Sequence, residues 1–419
     1  MDHVHKLTPT RLLTLMAALG SLLSLPAADW PQWRGPHRDG HSAERLPADR
    51  DPLQGLQEPL WRRSVGRGYA SPVVSSGTLV WLDAVQDQET AHAADVATGT
   101  PRWSVTVGPV FSDEFEPGPR CTPVVDGDRV YVQTALGEFQ CLDLRDGSLR
   151  WRFHFGDYGM RWVADRASNI GAASRRGNTG SPVVDGERIL VQVGSTNGAC
   201  LVAFDKHTGR ELWKSQNDLA SFASPVVGAP GGRRQCVTVT CEGLMGVAPE
   251  DGALLWRLPF KTGANRNVLT PILLDDTVYY ASHTTGLRAT RILPDGATLH
   301  AGDVWLNRDA RINLSSPVAV GGHLYGLGAS KDYICVVRES GRIAWSQPGF
   351  GDAASTIALA DGHLLVLTDL GELLVLRASP DRYEERSRRQ VCGKTFSHPA
   401  VANGLLIVRD PRELVAWRL

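Results

Sequence analysis

Cysteine is scarce in this sequence and oddly distributed. Seven residues occur in 419, the first at Cys121, with no CxxC pair and no two adjacent. The odd count argues against a full disulfide framework, and no cysteine stands near the start of the chain to carry a lipid. Most of the seven lie inside apolar, strand-like runs, where a thiol behaves as a small core hydrophobe. Cys236 and Cys241, five apart in one extended run, should face opposite sides of it. Neither sign of charge is in excess, since 44 Lys and Arg stand against 45 Asp and Glu. That balance gives no reason to expect nucleic acid or an acidic membrane surface as partner. Long apolar runs are missing after residue 25, so no later segment is expected to span a bilayer. HExxH, GxSxG and P-loop signatures are absent, and the scattered His154, His283, His323 and His398 read as strand or turn residues. His37 and His41, four apart in a loop, are a weak metal signal, and no metal site is expected.

The single apolar run, LLTLMAALGSLLSL, covers residues 12–25 and follows the weakly basic His3, His5, Lys6 and Arg11. Its 14 residues are short for a membrane span, and the small residues of PAAD come next. Residues 1–28 therefore read as an export signal cleaved after about Ala28, with an uncleaved anchor as the alternative. The mature chain is expected to be extracytoplasmic (periplasmic or secreted), monomeric and not membrane-spanning.

What the sequence does have is a repeat. The pattern small-x-Asp-x-x-x-Gly-x-x-x-Trp is met in full by AADVATGTPRW, CLDLRDGSLRW and AFDKHTGRELW, ending at Trp103, Trp151 and Trp213. GVAPEDGALLW and CVVRESGRIAW, ending at Trp256 and Trp345, keep Gly and Trp without the Asp. A second phrase, SPVV or a variant, begins at Ser71, Thr122, Ser181, Ser224, Thr270, Ser316, Ser355 and His398, in steps of 39 to 59 residues. Between anchors lie four short runs rich in Val, Leu and aromatics, bounded by Gly or Asp turns. Eight such units predict an all-β fold, an eight-bladed β-propeller of four-stranded antiparallel blades over residues 57–419. In each motif Gly permits the tight turn, Asp binds turn amides, and Trp packs on the neighbouring blade with its N–H needing a partner there.

The last unit holds three strands and no motif Trp, while PLWRRSV with Trp61 stands ahead of the first unit. Trp61 is therefore expected to complete the eighth blade, pairing N- and C-terminal strands and removing an open edge. Residues 29–56 form an N-terminal arm expected to lie across the outside, with Trp30 and Trp33 against a blade. Two units depart: extra residues precede Trp305, and the seventh has neither Gly nor Trp in place, so longer hairpins or a weak girdle are expected there.

On these residues the chain resembles the PQQ-binding-like β-propeller repeat proteins, its recurring phrase being similar to the tryptophan-docking motif of quinoprotein dehydrogenases and their non-enzymatic relatives. DWPQWRGPHRDG and GPRCTPVVDG look like a subgroup of exported bacterial proteins, and the layout is similar to the BamB lipoprotein of outer-membrane barrel assembly. The dehydrogenase resemblance implies PQQ on the propeller axis, held by a Trp platform, an adjacent-cysteine disulfide, a calcium ion on acidic and Asn ligands, and an Asp base. This chain has no adjacent cysteines, no cluster matching the calcium ligands and none of the long insertions with which the enzymes roof their pocket. A non-catalytic scaffold for a protein or cell-envelope component is therefore expected. The alternatives are a PQQ- and Ca²⁺-dependent alcohol or sugar dehydrogenase, and a carbohydrate or small-anion binder.

Function is expected on the face formed by the D–A connections and B–C turns, where both long insertions fall, residues 107–120 and 156–180. Candidate binding residues are Arg161, Trp162, Asp165, Arg166, Arg175 and Arg176 of the second insertion, with Arg120, Asn265, Arg266, Arg311 and Asn313 ahead of other strands A. Lys331 and Asp332 come from a B–C turn, and Asp113, Glu114 and Glu116 supply acid. Such residues make either an arginine-lined mouth for a carboxylate, phosphate or acidic peptide, or a solvated rim of mutually paired charges.

Overall fold

The computed structural model describes residues 29–47, 53, 58–113, 115–160, 176–262, 266–296 and 298–419; the leader predicted over 1–28 lies outside them. Each anchor opens one antiparallel sheet, and there are eight sheets. Blades are numbered from the Ser71 anchor, with strands A to D in chain order. Blade 2 is typical, with strands Val124–Asp126, Arg129–Gln133, Glu138–Asp143 and Leu149–His154. Strands A of neighbouring blades touch, which places them around the axis. Strand D of blade 8 is Trp61–Ser64, antiparallel to Glu413–Arg418 with Trp61 opposite Ala416, so the two ends of the propeller share one blade as expected.

The motif residues lock blade to blade. Indole N–H groups donate across to the next blade from Trp103 to Leu144 O (2.9 Å), Trp213 to Pro249 O (2.9 Å), Trp345 to Ser379 O (2.9 Å) and Trp61 to Val96 O (3.0 Å). The motif glycine has two jobs. Gly147 sits at φ +73°, and a Cβ there would come within 2.8 Å of the Trp103 ring; Gly252 stands likewise under Trp213 at 2.5 Å. A β-bulge precedes Trp103, Trp151, Trp213, Trp256, Trp305 and Trp345, such as that between Leu149 and Trp151, and turns the strand locally at the indole. Two tryptophans depart from the rule. Trp256 donates to Gln235 Oε1 of its own blade, and Trp151 Nε1 is buried without a partner among the described residues. Trp151 instead stacks in an aromatic series with Phe139 and Phe153. In blade 5 the extra residues lengthen the C–D hairpin to Gly286–Asp295 and Thr298–Asn307, while Trp305 keeps its dock on Arg338 O at 2.9 Å.

The anchor residues form a belt around the axis. Backbone N–H donates to the next anchor's hydroxyl from Ser71 to Thr122 (3.3 Å), Thr122 to Ser181 (3.0 Å), Ser181 to Ser224 (3.0 Å), Ser224 to Thr270 (3.4 Å) and Thr270 to Ser316 (3.0 Å). His398 N–H donates to Ser71 Oγ at 2.9 Å, so the belt runs from blade 8 round to blade 6 and is open at blade 7. The anchor identities thus follow from a bonding rule, because a small hydroxyl residue both accepts this bond and fits the crowded axis.

The N-terminal arm does not lie across the outside: it enters the channel. Trp30 exchanges both backbone bonds with Val74 of blade 1, and Pro31 O accepts from Val125 N–H of blade 2 at 2.8 Å. His41–Ser42 adds a parallel strand to Ala354–Leu359 of blade 7, and Glu44 caps Gly404 N–H of blade 8. The reason is on the axis itself. Inner edges of strands A carry unpaired backbone groups that need partners, and the arm supplies them.

Candidate functional site

The tip of the arm is held by two buried arginines. Arg34, 2% exposed, donates to Ser316 O and Pro317 O of blade 6 (2.7 Å each) and to Asp39 O (2.9 Å). Arg38, 4% exposed, donates to Pro182 O (2.8 Å) and Ser181 O (3.0 Å) of blade 3. Desolvation pushes the Arg34 guanidinium down to about 10 and that of Arg38 to about 9, both still charged at neutral pH. Trp33 Nε1 donates to the Thr270 anchor at 3.0 Å, and its ring lies 4.3 Å from His398, the one anchor without a hydroxyl. Burial and the Arg34 charge lower His398 to about 3, so it is a neutral ring against an indole. The channel is closed at anchor level by the chain itself.

One residue per blade stands two positions before its anchor, on the D–A side of that closure. These are Tyr69, Arg120, Thr179, Phe222, Val268, Leu314, Ala353 and Phe396, and all but Ala353 are half-buried. Neighbours touch. Phe396 meets Tyr69 edge-on at 5.4 Å, and the Arg120 guanidinium lies 4.9 Å above the Tyr69 ring. By blade equivalence these residues ring the D–A end of the axis, its throat, and five of the eight are Tyr, Phe, Val or Leu. These throat residues carry no signal of their own in the sequence because seven residue types occupy eight positions, Phe alone occurring twice; only their fixed distance from the anchors marks them.

The first insertion roofs one side. Asp113, its side chain 4% exposed, accepts from Arg120 (2.8 Å) and Arg176 (3.2 Å). Arg176 also covers the Phe115 ring at 4.4 Å, and Arg120 donates to Glu116 O at 2.8 Å. Beneath lies Glu89, fully buried, whose Oε1 accepts Phe111 N–H at 3.1 Å while Oε2 has no partner among the described residues. Desolvation raises its carboxyl to about 7, against the opposing pull of Phe111 N–H and the Arg120 charge. Cys121 sits alongside, its thiol on Asn178 O at 3.2 Å and its pKa pushed well up by burial and Glu89.

The structure brings Arg120 and Arg176 of the candidate set to this mouth. Arg120 and Arg176 share Asp113, which is the paired-charge arrangement. Arg266 is half-buried, has no carboxylate partner among the described residues, and is lowered by burial and by the charge of Arg176. Arg176 and Arg266 belong to the connections entering blades 3 and 5. Burial and Arg266 in turn lower His283. Lys331 pairs with Asp352 at 2.7 Å, exposed and away from this cluster, and Arg311 is an exposed side chain. Arg161, Trp162, Asp165, Arg166, Arg175, Asn265 and Glu114 lie outside the described residues.

The residues along the axis do not fit a quinone with calcium. Anchor level is filled by Trp33, Arg34 and Arg38, and all seven cysteines are buried. Among the described residues no group of three His, Cys, Asp or Glu could hold a metal ion.

Tryptophan-docked blades, a belted axis and closure through the ends define an eight-bladed PQQ-like β-propeller. The chain belongs to the family described as outer membrane protein assembly factor BamB, whose model matches residues 51–168 and 159–347. No curated protein sequence matches it. Among solved structures it is similar to BamB from Moraxella catarrhalis, with TM-score 0.58, 15% identity, and 86% of this chain and 98% of that chain covered. It is also similar to the quinohemoprotein alcohol dehydrogenase from Comamonas testosteroni, with TM-score 0.65, 13% identity, and 93% of this chain and 80% of that one covered. The computationally designed Ika8 protein gives TM-score 0.58 at 10% identity, covering 85% of this chain and 98% of that chain. At such identities the likeness concerns the fold.

Proposed function

We propose that this protein is an exported, non-catalytic propeller scaffold that holds another protein or a cell-envelope component on its D–A face. The observation that carries the reading is the self-filled axis. The position from which a cofactor could serve all blades is taken by the chain's own arm, bonded to strand-A carbonyls. What remains for recognition is the non-repeating D–A mouth, where an apolar throat meets arginines. The family's description as an assembly factor supports the same reading. No helix among the described residues is long and apolar enough to cross a membrane.

The test places photo-crosslinkers on both faces of the disc. Phe115 and Leu370, about half exposed, lie on the D–A face; Leu149 and Leu254 follow C–D turns on the opposite face. Discrete adducts in intact cells are expected from the first pair and none from the second. Equal labelling from both faces would overturn the reading. So would a quinone absorbance after reconstitution with PQQ and Ca²⁺, accompanied by dye-linked alcohol oxidation.

A further inference from the structure

We propose that Ser104, at the outer rim of blade 1, is an activated nucleophile that takes the acyl group of an ester with a good leaving group, with His92 as its base and Asp83 positioning that base. The proposal goes beyond the scaffold reading, which concerns the axis and the D–A face, and makes the rim a modification site of the scaffold.

Three strands of one sheet assemble the group. Blade 1 runs Val73–Ser75, Thr78–Val85, Gln88–Asp95 and Pro101–Pro109, the last being its outer edge. His92 stands opposite Trp81 on one side and Ser104 on the other, so these side chains share a face. Asp83, two residues beyond Trp81, belongs to the same face. His92 Nδ1 lies 2.7 Å from Ser104 Oγ, and Nε2 lies 2.9 Å from Asp83 Oδ1. Asp83 Oδ2 accepts Gly66 N–H at 2.9 Å and the Trp81 indole N–H at 3.2 Å, while the His92 ring stacks on Trp81 at 4.9 Å and 15°. Hydroxyl, imidazole and carboxylate are thus joined in series, with the last two fixed by further contacts. Exposure rises outward, from 3% at the Asp83 side chain and 14% at His92 to an exposed Ser104. No motif betrays the group, because its members stand 9 and 12 residues apart and meet only through strand register.

Burial disfavours the Asp83 charge, but the His92 hydrogen bond and charge, Gly66 N–H and the Arg409 charge outweigh it and hold the carboxyl below its usual range. An ionised carboxylate can only accept, so it takes the Nε2 proton, and the neutral ring presents Nδ1 to the hydroxyl. A base within hydrogen-bond reach, oriented by a third group, is what an activated serine needs. As Ser104 Oγ bonds to the acyl carbon, Nδ1 takes its proton. The bond from that carbon to the leaving oxygen breaks, and that oxygen receives the proton from Nδ1. The products are O-acyl-Ser104 and the free alcohol.

The experiment incubates the full-length protein with p-nitrophenyl acetate and follows acetylation residue by residue by mass spectrometry. Ser340, exposed in the C–D turn of blade 6, is the internal reference. Ser104 is expected to react about a hundredfold faster, the size of general-base assistance. His92→Ala should bring Ser104 down to the rate of Ser340, and added imidazole should restore part of it, which a misfolded variant would not allow. Asp83→Asn should slow Ser104 while His92 is present and have no further effect in the His92→Ala background. Reaction of Ser104 no faster than Ser340 overturns the proposal, as does a rate that survives His92→Ala. Failure of imidazole to rescue overturns the role of His92, and equal slowing by Asp83→Asn in both backgrounds overturns that of Asp83. None of these results touches the scaffold reading, which stands or falls on the crosslinking pattern.

Discussion

Two buried groups titrate in opposite directions, and their effects overlap. Glu89 keeps its proton up to about pH 7 in the folded state, against 4.5 for the ordinary value. The folded state then binds more protons than the unfolded one between these values, so stability falls as pH rises through the window. His398 behaves inversely. Held to about 3 from an ordinary 6.5, it makes the unfolded state the better proton binder, and stability is lost as pH falls through that window. The groups facing Glu89 are Phe111 N–H, Arg120 and Cys121; those facing His398 are Trp33 and Arg34. Between pH 4.5 and 6.5 the two slopes oppose, and the parent protein should show little pH dependence from them. Glu89→Gln should uncover the histidine, with stability rising by up to about 1.4 kcal/mol per pH unit across that range. His398→Asn should uncover the carboxyl, with stability falling over the same range. Urea melts at half-unit pH steps read both. Parallel curves for the parent and the two variants would remove the linkage.

At the scale of strands and turns, the motif glycine does two things that a pair of variants can separate. Gly127, in the A–B turn of blade 2, has φ +58° and no atom within 4 Å of the place a Cβ would take; Gly147, in the C–D turn, has φ +73° and the Trp103 ring at 2.8 Å. Gly127→Ala therefore carries the backbone cost alone, about 1 to 2 kcal/mol. Gly147→Ala adds displacement of the indole and its bond to Leu144 O. A further loss of about 1 to 3 kcal/mol is expected from that overpacking, and equal melting shifts for the two would show that the turn alone sets the requirement. This is also why the blades are legible in the sequence. Gly, Trp and the small cross-strand residue each answer a local steric demand at fixed spacing, so the pattern survives in the letters. The belt is half legible, since the Ser or Thr anchors are visible but their bonds to the next blade are not. The arm is not legible, because its partners are backbone carbonyls at Ser181, Pro182, Ser316 and Pro317, which no residue type betrays. The throat is hidden for the converse reason: Tyr69, Arg120, Thr179 and Leu314 share a position and no residue type.

The whole molecule has two independent means of closure, and they can be pulled apart. One is the shared blade, in which Trp61–Ser64 pairs with Glu413–Arg418. The other is the arm, which reaches blades 1, 2, 3, 5, 6, 7 and 8 from inside. A variant lacking residues 29–46 but retaining Trp61–Ser64 keeps the first and loses the second. The belt bonds donated by Thr122, Ser181 and Thr270 end on hydroxyls that the arm does not touch, so these amides should stay protected from hydrogen exchange. The amides of Val74, Val125 and Ala358, which donate to Trp30 O, Pro31 O and Gly40 O, should exchange rapidly, because those carbonyls are gone and the axis is open to water. Melting should remain one cooperative transition at a lower temperature, since blade-to-blade docking by the tryptophans is untouched. If the belt amides lose protection together with the axial ones, the arm holds the ring shut as well as filling it. The propeller would then be a fold assembled around its own N-terminal segment, and its stability would track occupancy of the axis.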